Sequence, residues 1–140
     1  MVKLVLRNTV VLVLSFLFAV FLLAMIEWIG SILHPFPEDF AGTMEEVMEQ
    51  VRNYPPLVLA LLGGVGWGLT ILVATWLATR FNANRQASYG IGLGLVLLGG
   101  ALYNMSMLPY PIWYWVLELI VLPLGIFAGV KLGAKQPAME

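Results

Sequence analysis

Four apolar runs, 9–33, 57–79, 89–108 and 112–130, take up most of a chain of 140 residues. Each is near the roughly 20 residues that a helix needs to cross the hydrocarbon of a bilayer. Backbone groups in lipid have no water to pair with, so each run must close its hydrogen bonds within its own helix. Composition agrees, with 61% hydrophobic and 11% charged residues against roughly 45–50% and 25% in soluble domains. The sequence predicts an all-α integral membrane four-helix bundle, a single transmembrane domain over 1–140.

Charge orients the bundle. Lys3, Arg7, Arg80, Arg85, Lys131 and Lys135 fall on one side of a four-span arrangement, and Arg52 alone on the other. Basic residues close to spans are enriched in the cytoplasm, so the N and C termini and the turn after Arg80 are expected there, with loop 34–56 external. That loop is acidic, carrying Glu38, Asp39, Glu45, Glu46 and Glu49. Within it, Thr43 and Glu46 have capping-box spacing, and Met44, Val47, Met48 and Val51 recur at helical period. A short external amphipathic helix is expected, resting on the membrane surface or over the bundle. Pro55 and Pro56 suit the first turn of the second span. The first run follows Lys3 and Arg7 as a signal peptide's would, but it exceeds the usual 7 to 15 apolar residues and reads as a retained span.

Glycine spacing bears on packing. Gly64 with Gly68 and Gly90 with Gly94 are GxxxG pairs, and Gly125, Gly129 and Gly133 form a four-residue ladder. Small residues at this spacing let membrane helices approach closely. Tight packing among the last three spans is the preferred reading, over glycines serving as hinges. The two outward exits also resemble each other, "SILHPFP" beside "SMLPYP", with His34 as the inserted residue. A parallel two-helix repeat would explain the match, as would the general preference for proline and aromatics at membrane exits.

The catalytic inventory is thin: one histidine and no cysteine, hence no thiolate ligand or nucleophile, and no recognised catalytic motif. The informative residues are ionisable groups placed where lipid should be. Glu27 and Glu118 each lie about 9 Å below the outer boundary, from their distance to Leu33 and Ile112 at ~1.5 Å per residue. Such groups usually face the bundle interior or a wet cavity. Glu118 shares a helix face with Leu122, Gly125 and Gly129, and Glu27 shares one with Ser31 and His34. Asn104 sits at nearly the same level, and Tyr103, Tyr114 and Trp28 could line the region.

Three readings of this cluster follow. The carboxyls are hydrogen-bonded glue between helices, or they build an outward-facing pocket for a cation, lipid head group or amphiphile, or they begin a proton path. Nothing polar extends such a path inward except Ser15, Thr70, Thr75 and Thr79. Glu27, His34 and Glu118 are chemically able to hold a metal. A histidine before proline at a helix exit is more often a stop, however, and no metal or cofactor is expected. Pro123 should kink the last span.

Trp28, Tyr110, Trp113, Tyr114 and Trp115 read as an aromatic belt at the outer interface. With "LPYPIWYW" the chain resembles a group of small bacterial four-span membrane proteins in which a phrase like "IPHPxWFW" precedes the last helix. Pro109, Pro111, Trp113 and Trp115 match, and Tyr110 stands where histidine is common. The resemblance covers most of the chain and implies a bacterial inner (cytoplasmic) membrane; it carries over no activity.

The sequence thus points to a non-catalytic accessory or assembly subunit of a membrane complex. Its expected contacts are membrane lipid and other membrane proteins or copies of itself, and its few, dispersed basic residues fit no nucleic acid. The alternative is an outward-facing lipid, amphiphile or cation binding or transport protein using Glu27, His34, Asn104, Glu118, Tyr103 and Tyr114.

Overall fold

A computed structural model describes residues 1–134 of the chain; Lys135, counted above among the basic residues, lies outside them. The described residues form five helices: α1 Val2–Leu33, α2 Met44–Arg52, α3 Pro56–Phe81, α4 Ala87–Met107 and α5 Ile112–Gly133. All but α2 are long and apolar enough to cross a membrane. The fold is therefore all-α. Helix α1 begins at Val2, well before the apolar run starts at Thr9. The reason is that hydropathy marks where lipid is tolerated, whereas helical hydrogen bonding continues into polar flanks.

Helices α3, α4 and α5 make the core, with Ile71, Ala74, Ala78, Leu93, Leu97, Ala101, Leu122 and Ile126 buried together and Ala19 reaching in from α1. Glycines set the spacing. A Cβ at Gly125 would stand 2.8 Å from the Gly68 carbonyl oxygen, and one at Gly133 would stand 2.9 Å from that of Trp76. At Gly129 it would overlap the Leu72 carbonyl and the Thr75 hydroxyl. One face of α5 thus lies directly on the α3 backbone. In the other direction, Gly64 and Gly68 receive Leu117 and Val121, while Gly90 and Gly94 seat α4 against Thr75, Thr79, Val130 and Ile126. Pro123 lies within α5, which continues through it to Gly133.

Helix α1 is held more loosely. Only 11% of its most apolar stretch is buried, against 39%, 33% and 33% for α3, α4 and α5. Its start is fixed by polar contacts to the α3–α4 turn. Arg7 donates to the Phe81 carbonyl, and Asn8 accepts from the Ala83 N–H at 2.8 Å and donates to the Tyr89 hydroxyl at 2.8 Å. Asn82, buried in that turn, donates to the carbonyls of Ala78 and Thr79, which the helix end leaves unpaired.

The opposite end carries the acidic loop. There α2 has the full capping box: Thr43 Oγ1 accepts from the Glu46 N–H, and Glu46 accepts from the Thr43 N–H at 2.9 Å. Pro55 is the N-cap of α3 and Pro56 its first residue. Gln50 ties α2 back to the exit of α1 by donating to the carbonyls of His34 and Pro35, at 3.0 and 3.3 Å.

This cap has a pH dependence. The backbone N–H of Thr43, then its hydroxyl and further N–H groups, hold the Glu46 carboxyl below its usual value, while desolvation opposes them. A depressed folded value means that the contribution is complete above the unfolded pKa, near 4.3, and is lost as pH falls through the folded one. Amide exchange at Thr43 and Glu46 is expected to accelerate on acidification from about pH 6 to about pH 3, beyond the intrinsic trend, and a Glu46→Gln variant should not show that change.

Candidate functional site

At the acidic end, the three helices that converge on the exit of α1 do not close completely. They leave a cavity of about 150 Å³. Its walls come from Ile26 and Glu27 of α1, Leu59, Leu62, Gly63 and Trp67 of α3, and Asn104 of α4. Val51 of α2, Tyr54, Leu108, Tyr110 and Tyr114 complete it. The α3 wall is not ordinary α-helix. From Ala60 to Trp67 it is π-helical, a widened geometry that concentrates at functional sites.

Gly63 lies within that stretch and admits Tyr114. A Cβ there would stand 2.6 Å from the phenol Cζ and closer still to the hydroxyl. The ring of Tyr110 stacks on that of Tyr114 at 4.6 Å and 23°. The Tyr110 hydroxyl donates to Asn104 Oδ1 at 3.4 Å, a long bond. Burial first, then the nearby Tyr54, Glu27 and Glu118, push the Tyr110 phenol up to about 12. Burial and Glu27 also raise that of Tyr54. Both phenols thus report a low-dielectric, electronegative surrounding.

Glu118 lies one turn beyond Tyr114 on α5 and is 1% exposed. Its Oε1 has no hydrogen-bond partner. The carboxyl has the Tyr114 side chain as its hydrogen-bonding neighbour, and Oε1 is the oxygen left without a well-formed bond. Glu27 differs: it lines the cavity while remaining exposed, so it stands at the mouth.

Of the six residues singled out from the sequence, Glu27, Asn104 and Tyr114 meet in the cavity wall, with Glu118 behind Tyr114. His34 does not line it. Its ring packs on Tyr54 at 4.6 Å with Nε2 buried and unpartnered, one layer behind the wall. Tyr103 is 69% exposed and faces away. Trp28 likewise is exposed, and Ser31 donates to the Trp28 carbonyl rather than to any cavity group. The aromatic belt therefore divides. Trp28 and Trp113 are exposed, whereas Tyr110, Tyr114 and Trp115 pack with Leu59 and Met105. Toward the basic end, Thr70 and Thr75 donate to carbonyls of their own helix, at 2.9 and 2.8 Å, and extend no polar path. Among the described residues no three His, Asp or Glu side chains gather as a metal site.

Comparison of the chain with protein-family models, curated proteins and solved structures gives no match. What the fold itself decides is the class. This is a small polytopic membrane protein. Sequence reasoning did not single out Tyr54, Gly63 or Trp67; the doublet at Gly63 and Gly64 was a signal for the second, since only Gly64 belongs to the GxxxG pair.

Proposed function

We propose that this protein is a non-catalytic binding protein that holds a lipid head group, amphiphile or cation in the cavity at its acidic end. The observation that carries this reading is the meeting of Glu27, Asn104 and Tyr114 in one wall, with a carboxyl oxygen of Glu118 left unpartnered behind it. Tyr114 is the one side chain in hydrogen-bonding reach of that carboxyl, and an oxygen it leaves without a well-formed bond beside a polar cavity supports a ligand there. No residue of the wall is a nucleophile set beside a base, so acid–base or covalent catalysis has no support. The bias of Lys and Arg toward the opposite end supports an outward-facing pocket with both termini cytoplasmic. The resemblance through Pro109, Pro111, Trp113 and Trp115 supports a bacterial inner membrane.

A second reading, an accessory or assembly subunit, is favoured by α1. That helix has only 11% of its most apolar stretch buried, and its outer surface is open to lipid or to another membrane protein. Native mass spectrometry of gently extracted protein separates the two. Binding predicts a retained small molecule that is lost from Glu27→Gln and Glu118→Gln variants. A stoichiometric protein partner, with the same small molecules on wild type and variants, would favour the subunit reading instead.

A further inference from the structure

The cavity wall has a chemical bias of its own. Glu27 stands at its mouth and Glu118 behind Tyr114, while none of the residues lining it is Lys, Arg or His. An anionic group placed there would meet the Glu27 carboxylate with no countercharge. A hard divalent ion needs about six or more oxygen ligands, several of them charged, and no such cluster is assembled among the described residues. The remaining surface is apolar and rich in aromatics: Tyr54, Tyr110, Tyr114 and Trp67 share it with Ile26, Val51 and three leucines, around about 150 Å³. A space of that order holds a molecule the size of benzene, which is also the scale of a substituted ammonium group. Aromatic walls with a carboxylate at the entrance are the chemistry that recognises such a group.

We infer that the group bound between Glu27, Asn104 and the tyrosines of this cavity is an ammonium, carried either by an amphiphile or by a free solute. The inference rests on the reading of the cavity as a ligand site and adds the class of ligand. A tail could lie along α4. About two turns from Asn104 on that helix, Val96 borders an apolar groove of about 410 Å³ against Leu12, Val13 and Phe16 of α1. A side chain at Gly92 or Gly100 would meet nothing within 4 Å, so no protein atom fills that face.

The test uses the full chain in nanodiscs of phosphatidylglycerol, which bears no ammonium. Three probes are titrated: dodecyltrimethylammonium, the uncharged octaethylene glycol monododecyl ether, and tetramethylammonium. Thermal unfolding is the readout, with a Glu27→Gln variant correcting for partition into the lipid. Because Glu27 is exposed, its replacement leaves folding intact even where Glu118→Gln does not. The ammonium amphiphile should bind on the order of tenfold more tightly than the uncharged one, with the difference abolished in Glu27→Gln. Tetramethylammonium binding as tightly as the tailed probe also supports the inference and identifies a free solute as the source. Equal binding of charged and uncharged amphiphiles, both sensitive to Glu27→Gln, overturns the inference while the ligand site stands. Equal binding insensitive to that change removes both.

Discussion

Replacing Gly129 by alanine should force α5 away from α3 and cost about 1–3 kcal/mol, the range of overpacking in a close-fitted interior. The added methyl would overlap the Leu72 carbonyl and the Thr75 hydroxyl, and neither can yield. Leu72 meets it with its backbone, and the Thr75 hydroxyl is held at 2.8 Å from the Ile71 carbonyl. Alanine gains up to about 1 kcal/mol over glycine in a helix interior, which the clash exceeds. Gly92→Ala is the control: nothing lies within 4 Å of the added methyl, so only the helix gain remains. Unfolding of the two variants in a graded mixture of denaturing and mild detergent should therefore move in opposite directions. Equal shifts would mean that the glycine seam does not hold the bundle together.

Gly63→Ala should act on the cavity. Its methyl would stand 2.6 Å from Tyr114 Cζ, on a ring that also stacks on Tyr110 at 4.6 Å. The phenol must then shift, and because it lines the cavity the wall shifts with it. Loss of the retained small molecule in native mass spectrometry is expected, with a destabilisation of about 1–3 kcal/mol. Full retention in a folded Gly63→Ala protein would show that Tyr114 is not part of a binding wall.

Much of the fold is legible in the sequence because lipid imposes one rule on every span. The four apolar runs match the four long helices, the third overrunning α4 by Leu108 alone, and the capping box at Thr43 and Glu46 formed as its spacing implies. Helix ends were less legible, since Arg7 and Asn8 remain helical in order to reach Phe81 and Ala83 of the next turn. The π-helical stretch over Ala60–Trp67 leaves no periodic signature, because its hydrophobic residues are read the same way at either pitch. In the site, Glu118 was placed by its face shared with Gly125 and Gly129. Tyr103 was misleading for a physical reason: it adjoins Asn104, and adjacent residues on a helix point about 100° apart. Tyr54 enters the cavity through the loop before Pro55, where helical period carries no information.

The most direct measurement is an experimental density map of the protein in native lipid, at a resolution that separates side chains. Non-protein density between Glu27, Asn104 and Tyr110, extending toward the α1–α4 groove or ending within the cavity, is the expected result. A cavity closed by its own side chains, or holding only water with Glu118 Oε1 paired to a protein donor, would contradict the assignment of this end of the bundle as a ligand site.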